Sequence, residues 1–114
     1  MDRFVEIKQG KAGELMKLLG FSSKSGTLIY GREKLLEYLK HRNHDAKVIF
    51  LSEDVQLKYQ DMWLRKAEYH GALIYKLNGY SMVEIGERLG KRKLSAFATT
   101  DRNILNGVIG KAKD

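Results

Sequence analysis

The sequence predicts an α/β fold: a three-layer α/β/α sandwich built around a four-stranded sheet. Two observations carry this. Short apolar runs alternate with amphipathic stretches along the whole chain, which argues for helices packed on a sheet rather than for separate all-α and all-β halves. An apolar content of 43% over 114 residues is enough for one ordered core. No repeat, linker or low-complexity tract divides the chain, so residues 1–114 are read as a single domain, with residues 1–10 as a loose lead-in.

The elements follow in order. "KAGELMKLLGF" from Lys11 places Leu15, Leu18 and Leu19 on one face of a short helix, and "SSKSG" reads as its break. "TLIY" is a strand that ends at Gly31. "REKLLEYLK" is an amphipathic helix with Leu35, Leu36 and Leu39 on one face. "HRNHD" reads as a turn, and "AKVIFL" as a strand covered on both faces, because its apolar run is nearly continuous. After Glu53 and Asp54, read as helix caps, Tyr59, Met62, Trp63 and Ala67 recur at helical spacing. "ALIYKL" is the next strand. Ser81 with Glu84 forms a capping-box pattern opening a helix with Met82, Ile85 and Leu89 on a face. "LSAFATT" is the fourth strand, and Asp101 caps a last helix that buries Ile104, Leu105, Val108 and Ile109.

Composition narrows the function classes. Twenty-one Lys and Arg against fourteen Asp and Glu give a formal charge of +7, which favours an anionic partner, nucleic acid before an anionic membrane surface. Cysteine is absent, which excludes disulfides, thiolate zinc sites and a cysteine nucleophile. No apolar run approaches the ~20 residues that span a bilayer, and "MDRFVEIKQG" lacks the apolar centre of a signal peptide. A cytoplasmic location without membrane contact is expected.

Enzymatic readings find little support. His41 and His44 are three apart, but they fall in the predicted turn and no third metal ligand is evident. Asp54 follows an apolar strand as a phosphoacceptor aspartate does, yet "TLIYGREK" offers only Glu33 where a magnesium site needs an acidic cluster. "GERLGKRK" lacks the glycine spacing of a phosphate-binding loop. His70 ends a helix, where the dipole favours it. No catalytic residue, metal, cofactor or small-molecule substrate is expected.

The basic elements are more informative. Arg32 and Lys34 stand at a helix start, where the dipole disfavours cations, so an anion facing that helix end is the functional reading. Gly31 before them allows a close backbone approach. "GKRK" puts Lys91, Arg92 and Lys93 in the loop before the fourth strand, at a second strand–helix transition.

Five ordered segments, "LLGFSSKSGTLIYGREKLLEYLK", "AKVIFLSEDV", "EIGERLGKRK" and "SAFATTDRNI" with the helices between them, resemble the kink-turn RNA-binding ribosomal-protein superfamily. It includes the large-subunit ribosomal proteins seven-Ae and thirty-e, and the branch most resembled is that of the bacterial YlxQ-like proteins. The resemblance runs from about Leu15 to Ile109. It implies a mixed four-stranded sheet and a two-part RNA surface. One part is Gly31, Arg32, Glu33 and Lys34, with Lys24 nearby in sequence. The other is Lys91, Arg92, Lys93, Leu94 and Ser95, closing on an unstacked nucleotide, with Leu94 in apolar contact with the base. Glu33 and Lys34 stand where the best-studied branches carry an Asn-Glu pair that reads guanine edges, and Glu37 stands where they carry a lysine. The glycine-plus-Glu form resembles the YlxQ-like branch. The implied partner is structured, kink-turn-like RNA, with the ribosome as its setting. The altered pair also admits a protein-interaction module of the same fold with a degraded RNA face.

Overall fold

The computed structural model describes residues 3–41 and 46–114. Its elements are β1 (Phe4–Ile7), α1 (Gln9–Ser25), β2 (Leu28–Tyr30), α2 (Arg32–Lys40) and β3 (Val48–Ser52). They continue with α3 (Leu57–His70), β4 (Leu73–Leu77), α4 (Met82–Arg88), β5 (Ala96–Thr99) and α5 (Arg102–Lys113).

The sheet has five strands, not the expected four, in the order β1-β4-β3-β5-β2. The extra strand is β1, which lies within the stretch expected to be a loose lead-in. It pairs in parallel with β4, Phe4 opposite Ile74 and Ile7 opposite Leu77. Arg3 anchors its start, accepting from the Ile74 amide at 2.7 Å and donating through its guanidinium to the Ala72 carbonyl at 3.3 Å. The sheet is mixed. β3 runs parallel to β4, while β5 is antiparallel to both β3 and β2.

All five residues of β3 are buried, which follows from its central place with both faces covered. Strand alternation divides them: Val48 and Phe50 join one core cluster, Ile49 and Leu51 the other. The first cluster takes Leu15 and Leu19 from α1, Ile85 from α4, and Leu105 and Val108 from α5. Phe50 there stacks on Phe97 with centroids 5.2 Å apart, and burial raises the phenol pKa of the adjacent Tyr75 above its ordinary value. The second cluster takes Leu35 and Leu39 from α2 and Trp63 and Ala67 from α3.

Helix α1 is longer than the sequence suggested, because "SSKS" continues it. Ser22 is fully buried, and its hydroxyl shares hydrogen bonds with those of Thr27 at 2.7 Å and Thr99 at 2.6 Å. The helix ends at Gly26 in the left-handed conformation. Ser81 and Asp101 act as the expected caps, accepting from the Glu84 amide at 3.1 Å and the Ile104 amide at 3.0 Å. Glu53 and Asp54 do not cap α3, whose N-cap is Gln56. Their carboxylates accept instead from the amides of Gly79 at 3.1 Å and Met82 at 2.9 Å, fastening the turn that enters α4. Most of the predicted "HRNHD" turn lies outside the described residues.

Candidate nucleic-acid interface

The interface begins at the edge strand β2, which delivers Gly31 to the start of α2. Gly31 adopts φ 89° and ψ 140° and has no side chain with which to cap the helix. A Cβ there would meet no atom within 4 Å, so this helix entry faces open space. Arg32, Glu33 and Lys34 are all exposed on the first turn of α2.

The basic loop is seated by α4. Gly90 turns left-handed at φ 73°, and the Lys91 amide donates back to the Gly86 carbonyl at 2.7 Å. The Leu94 amide donates to the Met82 carbonyl at 3.0 Å, and the Ser95 carbonyl accepts from the Ser52 amide at 3.0 Å. Gly86 is buried beneath the loop, and a Cβ on it would stand 2.4 Å from the Arg92 carbonyl oxygen. The loop backbone therefore rests directly on the helix.

These two parts meet. A cleft of about 320 Å³ is bordered on one side by Gly31 and Arg32 and on the other by Lys93, Leu94 and Ser95. Lys91 reaches across to β2, its Nζ 4.9 Å from the centre of the Tyr30 ring. Helix α3 closes the third side with Tyr59, Met62 and Trp63. Trp63 is buried and forms the floor, while Tyr59 is 41% exposed and stands at the rim. Among the described residues none of Arg32, Lys34, Lys91, Arg92 and Lys93 is ion-paired, so five cations near one cleft are opposed locally by Glu33. Their mutual repulsion is relieved by solvent or by an anion.

Not every expected residue lines this cleft. Glu33 and Arg92 are exposed beside it, and Lys34 turns instead into a second cleft on the other side of α2. Lys24 is exposed in the last turn of α1 and lines neither. Leu94 is only 6% exposed and belongs to the core cluster, so it offers an edge rather than a whole side chain. Sequence reasoning missed Tyr30, Tyr59, Met62 and Trp63 as cleft residues. The last three were visible at helical spacing, but that spacing equally describes a core-facing stripe. No group of three His, Asp or Glu side chains suited to a metal occurs among the described residues, which do not include His44.

Comparison with known proteins agrees with this architecture. The chain is 27% identical over 108 residues to the RNA-binding protein YlxQ of Enterococcus faecium, covering 95% of this chain and 96% of that one. Its fold matches that of the 15.5 kD RNA-binding protein of Giardia lamblia with a TM-score of 0.72 at 12% identity, over 93% of this chain and 90% of the other. The chain belongs to the ribosomal-protein superfamily that its segments resemble. A Bacillus halodurans protein of unknown function shares the fold at a TM-score of 0.73 and 17% identity, over 88% of this chain and 97% of that one. No protein-family model matches the chain. Among the described residues no helix is long and apolar enough to cross a membrane.

Proposed function

We propose that the protein is a non-catalytic RNA-binding protein of ribosomal-protein type, acting on structured, kink-turn-like RNA in the cytoplasm and in association with the ribosome. The observation that carries this is the shared cleft, in which a glycine-led helix start and a basic loop converge on an aromatic floor. The YlxQ relative, itself described as RNA-binding, supports it.

The chemistry is that of shape and backbone recognition, with an unpaired base as the specific element. Arg32, Lys91, Arg92 and Lys93 contact phosphates, for which the guanidinium fork of arginine is well suited. Glu33 accepts from the N1 and N2 edge of a guanine, and Lys34 serves as donor only. An unstacked base enters the cleft between Leu94 and the α3 side chains, where Tyr59 and Tyr30 offer ring faces; such stacking contributes about 1–3 kcal/mol per base.

Replacing Lys91 and Arg92 together by Ala tests the basic arm. Affinity for RNA should fall at moderate salt, and the slope of log affinity against log salt should shrink by about one unit per lost phosphate contact. Unchanged affinity and slope would remove the loop from the interface. Recovery of a stable protein partner that survives RNase, together with weak RNA binding, would favour the protein-interaction module instead.

A further inference from the structure

The second cleft lies at the opposite end of β5 and encloses about 810 Å³ between α2, β5 and the start of α5. We propose that it is a nucleotide-binding site. Lys34, Lys47 and Arg102 line it, and Glu37 is the single carboxylate among its lining residues. Its remaining walls combine the Tyr38 ring with the aliphatic side chains of Ile29 and Leu105, and Asn106 adds an amide that both donates and accepts. An apolar wall with a few convergent polar groups is the pattern of a small-ligand site, and the volume falls in the range of such sites. The charge excess selects an anion, and the flat apolar wall selects a planar ring attached to it. A nucleotide meets both demands.

Lys34 is the link to the first cleft. It stands two residues beyond Arg32, yet Arg32 lines the first cleft and Lys34 the second. Lys47 donates to the His41 carbonyl at the end of α2, which holds its ammonium at the cleft while leaving two further protons to donate. The nucleotide has two sources, a free mononucleotide or a strand that continues past the first cleft. The proposal does not depend on the RNA reading, since a free nucleotide satisfies it alone.

The test is titration of the full-length, isotope-labelled protein with uridine monophosphate, adenosine monophosphate, inorganic phosphate and a six-residue oligouridylate, following amide resonances. Saturable shifts at Thr100, Asn106 and Tyr38 with a mononucleotide are expected. Lys47→Ala should weaken that binding about tenfold, the worth of one charge-assisted contact. Asn106→Asp, which keeps size and lies on an exposed helix surface, should weaken it similarly by placing a negative charge in the cleft. Shifts with the oligonucleotide alone would support the strand as source. Shifts at neither, equal shifts with inorganic phosphate, or an unaffected Asn106→Asp variant of unchanged melting temperature would overturn the proposal. Shifts confined to residues 91–95 would leave the RNA reading standing while overturning this one.

Discussion

Gly31 shows how one residue serves fold and site together. Its φ of 89° with ψ of 140° is a conformation that only glycine adopts readily, and nothing within 4 Å would obstruct a Cβ. The strain of Gly31→Ala is therefore in the backbone, about 1–3 kcal/mol. The melting temperature should drop by several degrees, with RNA affinity falling as the added methyl occupies the open helix entry. An unchanged melting temperature would show that the backbone relaxes without cost. The glycine was conspicuous in the sequence, but only as a means of close approach. Its positive φ adds a conformational reason that no neighbouring residue type reveals. Ser22 is the converse case. Its place in "SSKSG" marked a break, because a serine run favours loops. The hydrogen bond that keeps it helical comes from Thr99, 77 residues away, and leaves no local signal.

At the scale of elements, patterning revealed strands and helices wherever one face or both were buried. β3, α2 and α5 stood out because their apolar residues recur with the right period. β1 did not, since it is a four-residue edge strand, buried only at Ile7, and its partner β4 lies about seventy residues on. The carboxylates of Glu53 and Asp54 fasten α4 rather than α3, again through tertiary contacts. The contact between α4 and the basic loop yields a prediction specific to these elements. Gly86→Ala would raise helix propensity by roughly 1 kcal/mol on its own. Its methyl would nevertheless press on the Arg92 carbonyl, which is backbone and cannot rotate away. The loop of residues 91–95 should shift, and RNA binding should weaken although Gly86 is buried and touches no ligand. Full affinity with an undisturbed loop, read from amide resonances of residues 91–95, would contradict this coupling.

Across the whole molecule, the sheet determines which basic residues cooperate. The antiparallel pairing of β2 with β5 brings Tyr30 and Phe97 into register, and so sets Gly31 beside the loop that precedes β5. Sequence alone marked both parts as basic but not as neighbours. The same strand separates the two clefts, whose nearest lining positions, Ala96 and Thr99, are about 10 Å apart along an extended chain. The central claim is that this arrangement recognises RNA structure rather than merely adding to a charge of +7. The most direct measurement is affinity for a kink-turn RNA and for a plain duplex of equal length, each across a salt series. A preference for the kinked RNA that persists at high salt is the predicted result. Equal affinities that collapse together as salt rises would contradict it, because counterion release alone would then account for the binding.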